Sequence, residues 1–396
     1  MGEWQTFCLK DLGKIVGGAT PSTNNPKNYG NKIAWITPKD LSTLQGRYIK
    51  KGSRSISRLG FKSCSCMLLP KHAILFSSRA PIGYVAIAKK RLCTNQGFKS
   101  IIPNKKIYFE FLYYLLKYHK DNISNIGGGT TFKEVSGATL GLFKVKIPPT
   151  YYEQQKIART LSILDQKIEN NHKINELLHK ILELLYEQYF VRFDFLDENN
   201  KPYQTSGGKM KFSKELNRLI PSGWSVRFLN HKIVSTYQPK TISKTLLNDS
   251  YSYSVYGGGG IIGRFTEYNH EQSEFIISCR GQCGISYLTL PKSWITGNAM
   301  VIRPTKSYTS KTYLYHTIKK YKLTNYITGS VQPQITRQNL STMPILIPKR
   351  KTLNKWNNIS SLLWNLIHNN MQSTQTLTAL RDFLLPLLLK QQVKPQ

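Results

Sequence analysis

The chain, which has 396 residues, repeats itself after about 200 residues. An Ile-Pro pair at 147–148 recurs at 347–348, and an Arg-containing segment at 78–83 recurs in altered form at 279–284. Each Arg-containing segment follows a short apolar run and precedes a Gly/Asn turn and a Tyr/Leu-rich stretch. This order, kept over roughly 150 residues, indicates a tandem duplication. We therefore expect a mixed α/β fold with two pseudo-repeated α/β domains.

A long helix is predicted after each Ile-Pro pair. From Ile157 to Tyr189, apolar and Asn residues follow an unbroken 4-3-4-3 spacing, which is the seam of a coiled coil. The second copy repeats the seam less well, because Thr374 and Arg381 fall on seam positions and Pro386 is expected to end or kink the helix. The seam residues expected to form the helix pair or a partner interface are Leu161, Leu164, Ile168, Asn171, Leu178, Leu185, Leu363, Ile367, Asn370, Leu377 and Leu384.

Asn171 and Asn370 fall at matching seam positions, and a polar seam residue typically fixes the register of a coiled coil. Because the repeated domains must return the chain, we expect two long antiparallel coiled-coil helices that separate the two α/β domains. At ~1.5 Å per residue, about 38 helical residues would span roughly 57 Å. The alternative is a pair of ordinary amphipathic helices in two adjacent cores.

The distribution of charge indicates two surfaces that face a polyanion. Lys and Arg number 56 against 21 Asp and Glu, for a formal charge of +35. Residues 41–109 and 275–381 contain no carboxylate and carry 14 Lys or Arg each, whereas nine acids fall between 153 and 198. Two acid-free regions joined by a mixed-charge connector fit two DNA-facing surfaces. A membrane surface and a proteome biased toward Lys and Asn are the alternatives.

Composition narrows the class of protein further. A hydrophobic content of 40% and an aromatic content of 11% exclude a disordered basic tail. No apolar run approaches the ~20 residues of a membrane-spanning helix, and the first residues do not resemble a signal peptide. The six cysteines form no CxxC pair, which argues against structural zinc and for a reducing compartment. We expect a cytoplasmic protein without a metal site.

Several motifs resemble those of a known family. Residues 147–168, which include Pro148-Pro149 and Glu153-Gln154, strongly resemble the central conserved region of the specificity (S) subunit of type I restriction-modification enzymes. Residues 12–36 resemble the start of that family's first target recognition domain, and residues 257–263 and 329–335 resemble segments of its second. The resemblance covers essentially the whole chain. The second copy departs from it, since no Glu-Gln pair follows the Ile-Pro pair at 347–348.

The resemblance implies that each target recognition domain reads one half of a bipartite DNA site. It also implies that the helices set the spacing between the halves and dock methyltransferase (modification) subunits, expected to be two, with restriction (motor-nuclease) subunits as further partners. Catalysis would lie in those partners, and S-adenosylmethionine, ATP and Mg would be bound only there. The chain itself would be a non-catalytic specificity subunit without a membrane partner.

The residues themselves also argue against catalysis. Residues 148–151 only approach the (Asn/Asp)-Pro-Pro-(Tyr/Phe) loop of DNA methyltransferases, and the acid-free regions cannot supply the clustered carboxylates of a nuclease. The Asp165-Gln166-Lys167 triplet is interpreted as a chance match to a DxK motif. The glycine run at 258–263 lacks a following helical pattern, so we expect a mobile loop near the DNA backbone. Cys279 and Cys283 are expected to be small core residues.

Two alternatives to a specificity subunit remain at this point. One is an autonomous DNA-modifying enzyme, which the missing motifs disfavour. The other is a basic scaffold that binds nucleic acid or a membrane without sequence preference.

Candidate DNA-contacting residues are the polar and basic side chains on loops and near glycines, because direct readout uses Arg, Lys, Asn and Gln that reach base edges. Arg79 and Arg280 occupy equivalent places and are candidates for a shared phosphate contact, with specificity in the divergent loops. In the first copy the candidates are Arg54, Lys62, Arg79, Thr130, Thr131 and Lys133. In the second copy they are Tyr256, Arg264, Arg280, Gln282, Gln332, Gln334 and Arg337.

The predicted segments follow from the repeat and the helices. They are a first target recognition domain (1–149), a central long helix (150–195), a linker (196–221), a second target recognition domain (222–348) and a C-terminal long helix (349–396). Since the loops of the two domains differ, the two half-sites are expected to differ, which makes the whole DNA target asymmetric.

Overall fold

The computed structural model describes residues 3–128, 133–249, 251–281, 283–329 and 332–395. The chain divides into two compact units, the first made of residues 1–173 and 370–396 and the second of residues 174–369. Each unit contains one α/β domain and part of both long helices. The unit boundaries therefore fall inside the helices and not at the ends of the α/β domains.

The first unit begins with short strands and helices arranged around one central sheet. Its strands are β1 (Gln5–Cys8), β2 (Gly13–Gly17), β3 (Tyr29–Ile36), β4 (Tyr48–Ile49), β5 (Arg54–Ile56), β6 (Ile74–Phe76), β7 (Val85–Ala88), β8 (Cys93–Thr94), β9 (Lys99–Pro103) and β10 (Lys144–Ile147). Its helices are α1 (Leu9–Leu12), α2 (Pro38–Ser42), α3 (Arg58–Lys62), α4 (Phe109–Tyr118), α5 (Lys120–Asn125), α6 (Gly137–Leu142) and the first part of α7 (Tyr151–Tyr186).

The central sheet of the first unit has the strand order β2-β9-β6-β7-β4 and is buried on both faces. Ile74 and Phe76 of β6 point into the cluster that contains α4, while Leu75 points into the cluster on the opposite face. This alternation follows from the two-residue period of a strand. Because both faces are covered, β6 is a continuous apolar run instead of an alternating one.

The second unit is built in the same way. Its strands are β11 (Met210–Ser213), β12 (Arg218–Pro221), β13 (Ser225–Phe228), β14 (Val234–Tyr237), β15 (Tyr253–Gly257), β16 (Gly260–Phe265), β17 (Phe275–Ser278), β18 (Ser286–Leu288), β19 (Trp294–Ile295), β20 (Ala299–Pro304), β21 (Ile327–Thr328), β22 (Gln334–Ile335) and β23 (Pro344–Ile347). Its helices are α8 (Lys311–Lys319), α9 (Arg337–Ser341), the end of α7 and the first part of α10 (Arg350–Leu389), and one π-helical turn, Glu187–Val191, follows α7.

Strand pairing confirms the predicted duplication. The order β14-β20-β17-β18 of the second unit repeats the order β2-β9-β6-β7 of the first. The first strand of each domain pairs antiparallel with the strand that carries the Ile-Pro isoleucine, with Gln5 opposite Ile147 and Ser225 opposite Ile347. A short parallel pair also recurs, β3 with β8 and β15 with β19. The two domains therefore share a scaffold although few of their residues match.

Two local predictions were wrong. The glycine run at 258–263 does not form a loop throughout, because Gly260–Phe265 is strand β16 and pairs with β15 in a hairpin. Gly260 has a φ of +96°, a value that glycine adopts without steric cost. Of the two outcomes expected at Pro386, a helix end or a kink, the end is wrong, because α10 continues to Leu389. The proline lies in the last turn of the helix, where its missing N–H removes only one backbone hydrogen bond.

The two long helices run antiparallel where they meet within each unit. In the first unit the Asn171 side chain donates to the Asn370 carbonyl (3.4 Å) and to Thr374 Oγ1 (3.2 Å). In the second unit the Asn175 side chain donates to the Ile367 carbonyl (3.3 Å). Polar groups of α10 at the seam thus form hydrogen bonds with polar side chains of α7. They do not simply weaken the packing of the two helices.

The predicted seam leucines and isoleucines are shielded from solvent to different degrees. Leu161, Ile168 and Ile367 are buried. The half-buried members are Leu164, Leu178, Leu185, Leu363, Leu377 and Leu384. Among the described residues, no helix is both long enough and apolar enough to cross a membrane.

Candidate nucleic-acid interface

The loops that follow β6 and β17 have the same hydrogen-bonded framework. Ser77 Oγ accepts from the Tyr84 N–H (2.8 Å), and Ser278 Oγ accepts from the Ile285 N–H (2.8 Å). In each loop a glycine N–H also donates to the carbonyl of that serine, at 3.0 Å in the first copy and 2.9 Å in the second. These glycines, Gly83 and Gly284, have positive φ, which explains why both copies keep glycine there. A rigid scaffold therefore presents both loops.

In each copy, a segment further along the chain is hydrogen-bonded to this loop. The Val135 N–H donates to the Ser78 carbonyl (3.0 Å), and the Ile335 N–H donates to the Cys279 carbonyl (3.0 Å). The preceding residues, Glu134 and Gln334, are thereby placed next to Arg79 and Arg280.

Arg79 and Arg280 differ in their electrostatic surroundings. Arg79 Nη1 lies 3.6 Å from Glu134 Oε2, and Lys99 Nζ donates to Glu134 Oε1 (3.2 Å). Arg280 forms no ion pair with any residue that the structure describes, and its backbone pairs with that of Gln334. Among the residues that the structure describes, the equivalent arginines therefore differ, since Arg79 is ion-paired and Arg280 is not. From the sequence, Glu134 could have been identified only by aligning the two copies at an offset of 200, which places it opposite Gln334.

The other candidates of the first copy are divided between two places. Lys133 is exposed beside Glu134. Arg54 lies on β5 with its guanidinium 4.4 Å from the centre of the Tyr29 ring, and Lys62 is exposed at the end of α3. Arg54 belongs to the β5-β3-β8 sheet, and α3, which carries Lys62, packs against β3 and β5 of that sheet, so neither residue extends the central sheet that carries Arg79. Thr130 and Thr131 lie outside the described residues.

In the second copy, Gln334 of β22 is exposed beside Arg280, and Gln332 and Arg337 are exposed close to it along the chain. Arg264 is half-buried and donates to the carbonyls of Tyr251 (3.1 Å) and Ser252 (3.3 Å), which favours a structural role. Gln282 lies outside the described residues.

The burial of Tyr256 argues against its prediction as a DNA contact. Its side chain belongs to the core, with 3% of its surface exposed. Its hydroxyl accepts from the Leu290 N–H (3.0 Å), and burial raises its pKa to about 12. The glycines that follow it suggested a surface loop, but they form the tip of a hairpin whose strand is buried.

Sequence reasoning missed a buried ionic network in the first unit. Arg47, whose side chain is 3% exposed, pairs with Glu110 (3.0 Å) and Glu169 (3.3 Å). Asp165 accepts from the Tyr114 hydroxyl (2.5 Å) and from Arg381 Nη1 (2.8 Å). Asp165 therefore anchors α7 to α4 and α10, a structural role that has no relation to a catalytic DxK motif. The signal for it was Arg381 itself, since an arginine on a buried seam requires an acidic partner.

The pKa values reflect this network. Burial alone would lower the pKa of Arg47, but Tyr114 and the carboxylates of Glu110, Glu169 and Asp165 raise it above its usual value. Burial, followed by the charge of Asp165, raises the pKa of Tyr114. Both groups therefore keep their protons throughout the physiological pH range.

A second missed feature is an exposed apolar stripe on the long helices of the second unit. Ile174, Leu177, Ile181 and Leu184 follow 3-4-3 spacing, so they share one face of α7 next to the seam. Leu177 and Leu184 are 60% and 59% exposed, and Leu362 of α10 is 62% exposed. A row of this kind on a soluble surface marks a protein-binding site more often than chance exposure.

The metal-binding and thiol chemistry of the described residues is limited. No group of three or more His, Cys, Asp or Glu in the described ranges is arranged to hold a metal ion. Cys279 is buried and Cys283 is half-buried, and both are free thiols. Burial raises the pKa of both thiols, which makes neither a reactive thiolate.

Similarity to other proteins agrees with this picture. The family model described as the type I restriction modification DNA specificity domain matches residues 1–180 and 221–380. The chain is 32% identical to the specificity subunit of the type I restriction enzyme MjaIX of Methanocaldococcus jannaschii, over 98% of this chain and 92% of that protein. It is 31% identical to the EcoR124I/EcoR124II specificity subunit of Escherichia coli, over 52% of this chain and 50% of that protein.

The fold is also that of a solved structure. The crystal structure of a type I restriction-modification S subunit from M. genitalium superimposes with a TM-score of 0.61, at 17% identity, over 98% of this chain and 96% of that one. The predicted architecture of two α/β repeats and long helices is confirmed.

Proposed function

Because this chain belongs to the family of type I restriction-modification DNA specificity subunits, we propose that it is the non-catalytic subunit that reads a bipartite DNA site. Each target recognition domain reads one half, and the segments 1–149 and 222–348 are the two domains. The observation that carries this proposal is the shared loop framework that presents Arg79 and Arg280 among different neighbours. A common scaffold that carries different base-contacting residues fits two half-sites of different sequence.

The charge distribution supports DNA as the ligand. The described candidates that remain exposed are basic or amide side chains, which suit phosphate oxygens and base edges. The long helices hold most of the acids between 153 and 198, so the excess positive charge belongs mainly to the two domains. Binding is therefore expected to weaken steeply with salt.

The exposed apolar stripe supports docking of methyltransferase subunits on the helices. The stripe lies beside the seam, so a partner can cover it while α7 and α10 stay packed. We assign two such subunits to the complex, with restriction subunits as further partners. S-adenosylmethionine, ATP and Mg are then bound in those partners and not in this chain. Such a complex works on cytoplasmic DNA.

The test is reconstitution. The purified chain, given S-adenosylmethionine and duplex DNA, should transfer no methyl groups. Coexpression with the modification subunits encoded in the same genome, followed by sequencing of methylated bases, should yield one asymmetric bipartite motif.

Two outcomes would contradict the proposal. Methyl transfer by the chain alone would indicate an autonomous enzyme. Complexes that bind DNA with no sequence preference would indicate a non-specific scaffold.

A further inference from the structure

The two copies place different residues at one equivalent position beside the loop arginine. Glu134 and Gln334 each precede the residue whose N–H donates to the loop carbonyl, at Ser78 and Cys279. The backbone environment is therefore the same, and the side chains can be compared directly. Glu134 also has Lys99 as a partner, whereas the second copy has the buried Met300 in that place on β20.

The carboxylate of Glu134 does not suit a surface that only neutralises phosphates. Its side chain is 35% exposed, so it faces the same solvent as Arg79. A carboxylate repels a phosphate, and a fold that needed only positive charge here would use glutamine, as the second copy does. The acid is also not required by the scaffold, because Gln334 pairs antiparallel with Thr328 as Glu134 pairs with Gly128.

Glu134 restricts Arg79 instead. With Oε2 at 3.6 Å from Arg79 Nη1 and Oε1 at 3.2 Å from Lys99 Nζ, the carboxylate lies between two cations and attracts both, which favours the orientations in which they face it. Bidentate recognition of guanine O6 and N7 requires a guanidinium in a fixed orientation. A phosphate contact requires only proximity.

We propose that Glu134 is a specificity-determining positioning residue of the first half-site. It holds Arg79 for one base pair and keeps it from the neighbouring phosphates. In the second copy Gln334 leaves Arg280 free to contact the backbone. This inference rests on the proposed function, since it assumes that the first domain reads DNA.

The experiment uses the full chain assembled with its modification subunits and a duplex library randomised in the first half-site. Glu134→Gln, which makes the first copy like the second, should lower discrimination at one base pair about tenfold, the size of one bidentate contact. The slope of log affinity against log salt should steepen by about one, because Arg79 is released to a phosphate. Preference in the second half-site should not change.

Arg79→Ala tests whether Glu134 acts through the arginine. It should lose discrimination at the same base pair, and the double variant should lose no more than Arg79→Ala alone. The reciprocal change Gln334→Glu should reduce the salt slope by about one and alter preference only in the second half-site.

The inference is wrong if Glu134→Gln leaves every base preference unchanged, weakens all sequences equally, or affects a base pair different from that of Arg79→Ala. These results differ from failure of the proposed function, in which the unmutated complex itself shows no base preference.

Discussion

In the first unit the α/β domain is fastened to the long helices through charged groups, whereas in the second unit the corresponding contact is aromatic. Tyr114 of α4 donates to Asp165 of α7, which pairs with Arg381 of α10. In the second unit the ring of His316 of α8 stacks on Tyr186 of α7, with centroids 5.5 Å apart, and meets Trp356 of α10 at 5.3 Å. One scaffold therefore accepts two chemistries at the same junction.

This difference teaches that the repeat conserves backbone geometry and not the means of attachment. A buried ion pair is directional and fixes one geometry, but it gains little stability over an apolar pair of the same size. An aromatic cluster buries more apolar surface and tolerates small shifts. The first junction should therefore respond most to loss of one charge, and the second to protonation of its histidine.

The largest effect is expected from Asp165→Ala. This change leaves Arg381 and the Tyr114 hydroxyl without their buried partner, and breaking one side of a buried pair costs about 3–5 kcal/mol. Urea unfolding, followed by hydrogen exchange of peptides from α4, should show that loss in the first unit. The matched control is Asp382→Ala, which removes an exposed partner of the same arginine and should cost less than about 1 kcal/mol. Equal effects of the two changes would show that the junction does not depend on the buried pair.

A change of pH is expected to have an intermediate effect on the stability of the second unit. Burial, with smaller contributions from the charges of Lys319, His179 and Lys320, lowers the pKa of His316 to about 3. An unfolded histidine titrates near ~6.5, so below that pH the unfolded chain takes up a proton that the folded chain does not. The free energy of unfolding of the second unit therefore falls as the pH falls, by about 1–2 kcal/mol from neutral pH to about pH 5.

His316→Phe should reduce this acid sensitivity, as measured by hydrogen exchange of α8 peptides at both pH values. The remainder is expected from His368 of the same unit, whose pKa burial lowers to about 4. His231→Gln, at an exposed position of the same unit, should leave the acid sensitivity unchanged. Full acid sensitivity in the His316→Phe variant would show that another group is responsible.

The smallest effect is expected from Lys319→Ala. Lys319 pairs with Glu183 at 2.5 Å, but both side chains are 47% exposed. Exposed pairs contribute about 0–1 kcal/mol and weaken with salt. Thermal unfolding should change by only a few degrees and converge with the unmodified chain at high salt. A loss as large as that of Asp165→Ala would mean that the second junction is ionic after all.

The sequence was sufficient where the signal is local or periodic. The 4-3-4-3 spacing predicted α7, and the repeated Ile-Pro pair and arginine segment predicted two copies of one sheet. It was insufficient where partners are distant. Asp165 and Arg381 are 216 residues apart, and only the folded chain brings them together. Tyr256 was misplaced for a related reason, because adjacent glycines indicate a turn but do not say how deeply the strand before it is buried.

Among the candidate DNA contacts, too, some features could be predicted from the sequence and others required the structure. The equivalence of Arg79 and Arg280 could be read from the repeat, and the loop hydrogen bonds explain it. The role of Glu134 depends on distances to Arg79 and Lys99, which no spacing along the chain encodes.

The asparagines of the helix seam have a consequence for how this chain can evolve. Asn171 and Asn175 donate to the main-chain carbonyls of Asn370 and Ile367. Every amino acid carries that acceptor, so mutation of the side chains opposite does not remove it. The alignment of the helices can thus persist through long sequence drift in α10, and the surface of that helix stays free to follow a changing partner.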